Sequence, residues 1–141
     1  MRILGIDHGD ARIGLAISDE LGMLAHPLET LNGREKFNAT SRRICEVIAE
    51  KKIERVVIGL PRNMNGTYGP AAEKIREFAD KLKPALKIPI ILWDERMTTQ
   101  QAQRSLHDAG RTVKNSRKVI DQVAAVIILQ SYLDSMAPPL E

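Results

Sequence analysis

The stretch from 53 to 60, IERVVIGL, constrains this chain more than any other, because residues 56–60 include no polar side chain. β-branched residues are stiff about their first side-chain bond and suit extended backbone. A strand whose apolar residues do not alternate with polar ones is buried on both faces. Such a strand needs neighbours on either side and helices over both faces, which points to the α/β class.

The rest of the chain supplies those parts. Residues 2–7 (RILGID) and 12–18 (RIGLAIS) are apolar runs joined by a tight turn, which predicts a hairpin. Residues 23–31 read as a weaker third strand, placed toward a sheet edge by Pro27. Phe37, Ile44, Val47 and Ile48 share one helical face. Pro70 suits the first position of a second helix, which carries Ile75, Phe78, Ala79 and Leu82 and stops near Pro84. Residues 87–93 (KIPIILW) predict another buried strand. Thr98 and Gln101 form a capping-box pair for a helix over 99–109, with Gly110 just beyond it. A final helix starts near Ser116, and its segment 123–129 (VAAVIIL) is apolar all round, which predicts a place in the core. The order implies a mixed five-stranded sheet, three antiparallel strands followed by βαβ units, with helices on both faces and one domain over 1–141.

Composition narrows the setting. No run approaches the ~18 apolar residues of a membrane span, and the N-terminal ILGI is too short for the apolar region of a signal peptide. The single cysteine, Cys45, has no partner for an internal disulfide, and Ile44, Val47 and Ile48 around it predict a small buried residue. These features point to a soluble protein of the reducing cytoplasm. The net charge of +3 decides nothing about partners by itself. Its distribution says more: in 111–118 (RTVKNSRK), Arg111, Lys114, Arg117 and Lys118 stand without an acidic residue, as in a loop that contacts phosphates or simply faces water.

Asp7 stands where the first strand ends, and Asp94 and Glu95 where the fifth ends. In open sheets the sites lie outside the carboxyl ends of parallel strands. Asp121 is the only acidic residue between Asp108 and Asp134, and steps of three and four from it meet Ala125, Ile128 and Tyr132, so it belongs to a face that turns inward. Singly, Asp7 also suits a turn and Asp121 a helix N-terminus; Asp94 and Glu95 also suit a polar strand exit. Together the carboxylates would repel one another and take up protons unless a cation lay among them. An all-oxygen set suits Mg²⁺ or Mn²⁺, and two such ions serve phosphodiester hydrolysis. Arg12, Arg62 and Arg96 fall near the same rim and suit a substrate backbone or surface ion pairs. The loop NMNGTYG, with Asn65, Gly66 and Gly69, suits either a plain turn or a phosphate cradle, and lacks the Lys-Ser/Thr ending of a P-loop. His8, His26 and His107 have no metal-ligand spacing.

Four blocks, GIDHGDARIGLAISD, VIGLPRNMNGTYGP, DERMTTQQA and KVIDQVAAVIILQSYLD, resemble in order the motifs of the YqgF family of RNase H-fold nucleases, which are related to the junction resolvase RuvC. The resemblance spans nearly the whole chain. It implies a metal-dependent nuclease of the bacterial cytoplasm that matures the 5′ end of 16S ribosomal RNA, or a resolvase of branched DNA. Asp7, Glu95 and Asp121 would be the catalytic and metal-binding carboxylates, with Mg²⁺ or Mn²⁺, in two ions, as cofactor. RuvC-like enzymes carry a glutamate at the end of the fourth strand, where this chain has GLP, so Glu95 would supply that charge from the next strand. Structured RNA or branched DNA would be the partner, and cutting two strands of a junction would favour a homodimer. A nucleic-acid-binding protein with little or no catalysis is the reading of another class. Clustered negative charge beside phosphates argues against it.

Overall fold

The computed structural model describes residues 1–63, 65–95 and 117–136, the last stretch with side chains from residue 122 onward. Its elements are β1 (Arg2–His8), β2 (Arg12–Ser18), β3 (Ala25–Asn32), α1 (Phe37–Lys51), β4 (Ile53–Leu60), α2 (Pro70–Leu82), a short 3₁₀ turn (Lys83–Ala85), β5 (Ile90–Asp94) and α3 (Arg117–Met136). The strands form one sheet in the order β3-β2-β1-β4-β5. The first three pair antiparallel. β4 runs parallel to both β1 and β5.

Side-chain alternation along the strands separates two cores. On one face Leu4, Ile6, Ile13, Leu15, Val56 and Ile58 pack against Ile44 and Val47 of α1 and Ile75, Phe78 and Leu82 of α2. On the other, Ile3, Ala16 and Val57 pack under Ala125, Ile128, Leu129, Tyr132 and Leu133 of α3. The central strand meets its expectation, with Val56, Val57 and Ile58 all at 0% exposure. α1 ends where Lys52 turns left-handed (φ 55°) and its N–H reaches the Ile48 carbonyl. α2 begins at Pro70, whose missing N–H is one that no helix would use.

Three expectations are corrected. β5 starts at Ile90 rather than at residue 87 and is half-buried along its length, because it closes one edge of the described sheet instead of lying inside it. α3 is not enclosed on all sides: it lies across one sheet face, so Ala125, Ile128 and Leu129 are buried while Val123, Ala124, Val126 and Ile127 are half-buried. Cys45 is half-buried beside the α1 seam, with its Sγ 3.7 Å from the Ala85 carbonyl. The helix read over 99–109 lies outside the described residues. Among the described residues no helix is long and apolar enough to cross a membrane.

Candidate active site

The parallel strands β1, β4 and β5 all present their carboxyl ends at one rim, where Ile6 stands beside Ile58 and Leu60 beside Asp94. Alternation then assigns faces. Leu4 and Ile6 belong to the α1–α2 core, so Ile3, Gly5 and Asp7 lie on the face that α3 covers. In β5, Leu92 packs toward α1 and α2 and Trp93 toward α3. Asp94 therefore turns away from α3, and Glu95, one residue past the strand, turns back toward it.

Glu95 reaches inward over β4 because residue 59 is glycine. A Cβ at Gly59 would stand 3.1 Å from Glu95 Oε1 and 2.6 Å from Ile128 Cδ1. Burial pushes the Glu95 carboxyl up to about 7, and the negative charges of Asp7 and Asp94 push in the same direction. Asp7 and Glu95 thus share one partly desolvated rim. A buried oxygen donor whose ionised form is disfavoured beside a second carboxylate is the donor chemistry that a divalent cation relieves, so Glu95 with Asp7 fits such an ion.

Asp94 has a different partner. Arg62 Nη1 donates to its Oδ2 at 2.8 Å, while Arg62 Nε donates to the Gly66 carbonyl at 2.6 Å. The same guanidinium lies 4.6 Å from the centre of the Tyr68 ring, and that of Arg76 lies 4.6 Å from it too. Arg62 thereby ties the 61–69 loop to the end of β5. Within that loop Asn65 Oδ1 accepts from the Thr67 N–H at 3.0 Å, and the Gly66 N–H donates to the Asn63 carbonyl at 2.9 Å. Gly66 takes φ 88°, a backbone region that favours glycine. Gly69 packs against the Asn63 side chain just before α2.

Asp121 lies in the second turn of α3, placed by its backbone. Its neighbour Gln122 donates from Nε2 to Thr30 Oγ1 at 3.0 Å, which ties this end of α3 to β3. Thr30 stands opposite Gly14, and Gly14 opposite Asp7, so the tie falls in the cross-strand row of the strand-one carboxylate. Among the described residues no group of three His, Cys, Asp or Glu side chains stands together as a metal set. Arg12 opens β2 and lines a pocket on the same face as Asp7. Arg117 and Lys118 fall in the first turn of α3. Their side chains, together with Arg96, Arg111 and Lys114, lie outside what is described. His8 turns to the opposite face, its ring 4.3 Å from that of Phe78. Another pocket, of about 550 Å³ and lined by Arg2, Ser18 and Lys51 among others, lies at the far end of the sheet from these carboxylates.

Sequence reasoning did not single out Gly59 or the pairing of Arg62 with Asp94. A glycine inside an apolar β-branched run signals close approach by another group. No comparable local signal joins Arg62 to a residue thirty-two positions away.

A family model described as "RuvX: Holliday junction resolvase" matches residues 1–135. A protein of Pelotomaculum thermopropionicum is 47% identical over 139 residues, covering 99% of this chain and 90% of its own length. One of Thermoanaerobacter pseudethanolicus is 49% identical over 136 residues, covering 96% and 97%. Both carry the name "Putative pre-16S rRNA nuclease". Among solved structures, RuvC of T. thermophilus in complex with a Holliday junction substrate superposes with a TM-score of 0.63 at 18% identity, over 96% of this chain and 95% of that one. That likeness shows a shared RNase H-like fold.

Proposed function

The chain belongs to the RuvX family of Holliday junction resolvases, and from that premise we propose that it is a divalent-metal-dependent endonuclease acting in 5′-end maturation of pre-16S ribosomal RNA. One observation carries this reading: Asp7 and Glu95, from strands on either side of β4, face the same carboxyl rim, where burial and then the charge of Asp7 disfavour the ionised form of Glu95. The near-full-length relatives named for pre-16S rRNA favour RNA as the substrate.

Asp7 and Glu95 would hold Mg²⁺ or Mn²⁺, in two ions, with Asp121 as the third carboxylate. Such ions, when bound, activate water and stabilise the leaving oxygen of a phosphodiester. The protein's own part is placement. Asp7 is fixed by the antiparallel pairing of β1 and β2. Glu95 is fixed by the Arg62–Asp94 tie behind it and the space over Gly59 in front. Arg12, Arg96 and the basic stretch 111–118 (Arg111, Lys114, Arg117 and Lys118) would hold the sugar–phosphate backbone. With aromatic residues only 4% of the chain, recognition would rest on shape and phosphates more than on base stacking.

The test compares cleavage of a precursor 16S RNA fragment with that of a four-way DNA junction, in Mg²⁺ and in Mn²⁺, using wild type and Asp7→Asn. Metal-dependent cutting of the RNA, lost in the folded variant, is the expected outcome. Cutting of the junction alone would replace this reading with that of a resolvase, which the family description favours and which would call for a homodimer presenting two sites. Binding of both without cutting would make the protein a nucleic-acid-binding module.

A further inference from the structure

An open pocket of about 370 Å³ lies at the β2–β3 side of the rim, lined by Ala11, Arg12, Thr30, Leu31, Asn32 and Arg34. Two arginines, a threonine and an asparagine are among these lining residues, and none of the lining residues is acidic. We propose that this pocket is a subsite for a phosphate of the nucleic-acid backbone neighbouring the scissile one, with Arg34 as its principal cation beside Arg12. The proposal rests on the nuclease reading above.

Its position follows from the strand register. Arg12 pairs with Asn32, and Gly14 with Thr30. Asp7 pairs with Gly14. Ile13 and Leu31 pack into the α1–α2 core, so Arg12, Thr30 and Asn32 lie on the other face, the one that carries Asp7. Thr30 and Asp7 are two strand spacings apart, roughly 10 Å. A phosphate in this pocket is therefore too far from Asp7 to be the one attacked, and suitably placed to be a neighbour in the same strand.

The pocket wall is built rather than incidental. The Arg34 N–H donates to Asn32 Oδ1 at 2.9 Å, fixing the two residues side by side. The Gly33 N–H donates to the Ala11 carbonyl at 2.9 Å, which docks the end of β3 onto the β1–β2 turn. A Cβ at Gly33 would fall 2.8 Å from the Gly9 carbonyl oxygen and 2.9 Å from that of Asp10, so this docking admits only glycine. Two carboxylates near this wall pair with other cations: Asp10 with Lys74 at 3.4 Å, and Glu29 with Arg43 at 2.7 Å. Guanidinium groups match phosphate geometry by paired N–H donors, and an amide donor such as that of Asn32 adds to such a site.

The test measures binding, in EDTA, of a structured RNA and of a set of the same strand carrying one methylphosphonate at a time. Arg34→Gln should weaken binding several-fold and lower the slope of log affinity against log salt by about 0.7–0.9. Arg34→Lys should keep most of that slope. Lys83→Gln, in the 3₁₀ turn outside this pocket, should leave it unchanged. In wild type, one neutralised phosphate beside the cleavage site should reproduce the loss seen in Arg34→Gln, and in that variant the same substitution should cost nothing more. An unchanged slope in Arg34→Gln, or losses that add at every phosphate, would overturn the subsite while leaving the nuclease reading intact. Failure of wild type to bind any nucleic acid, in EDTA and equally with Mg²⁺ or Mn²⁺ present, would overturn both.

Discussion

Glu95 is held in the folded protein with its pKa raised to about 7 by burial, by Asp7 and by Asp94. Between its ordinary value near 4.5 and that raised value, the folded state keeps a proton that the unfolded chain releases. Stability without metal therefore falls as pH rises through that window and levels off above it. Glu95→Gln removes the strain, so in EDTA the variant should melt a few degrees above wild type at pH 8, with the gap closing by pH 4. The same variant should lose cleavage. Equal melting temperatures at pH 8 would show that Glu95 is not held under electrostatic strain. The acidic rim was legible in sequence because carboxylates at strand ends stand out from apolar runs. The separate employment of Asp94 was not: adjacent residues of an extended chain face opposite ways, and which of two acids points inward depends on where the strand stops.

At the scale of elements, two glycines face α3, and the close seating of the helix depends on the first of them. A Cβ at Gly5 would lie 2.7 Å from Leu129 Cβ and 3.2 Å from the Ala125 carbonyl oxygen, so the helix itself would have to lift. Gly5→Ala should destabilise the fold by about 1–3 kcal/mol, measured by urea unfolding. At Gly59 the obstacles are the far ends of the Ile128 and Glu95 side chains, which can yield. Gly59→Ala should therefore lose more activity than stability, with kcat reduced in a protein that remains folded. A Gly59→Ala enzyme of normal kcat would mean that the space above β4 does not govern the carboxylate. The start of α2 was readable from Pro70, and the double burial of β4 from its unbroken apolar run. β5 misled for a related reason: Ile90, Ile91, Leu92 and Trp93 look like a central strand, although the protein places them at the sheet edge.

Across the whole molecule, the two apolar cores that the described residues form lie on opposite faces of the sheet, and neither includes a carboxylate of the rim. Metal removal should accordingly abolish cleavage while leaving the far-ultraviolet circular dichroism unchanged. Unfolding in EDTA would make the ion structural instead. The overall α/β plan was legible because the order of apolar runs and amphipathic segments leaves few topologies open. The pocket beside β3 was not, since it forms only when the end of β3 docks on the β1–β2 turn. The apolar character of β5 on both sides has a consequence for how the chain finds its native pairing. Hydrophobicity cannot tell the two faces of that strand apart, and a slip of one residue would exchange them at little loss of burial. The polar contacts break the tie: Asp94 with Arg62 on one side, and the Trp93 indole N–H donating to Ser131 Oγ at 3.1 Å on the other. Arg62 thus helps to hold the register in which Glu95, and not Asp94 with its shorter arm, turns over Gly59.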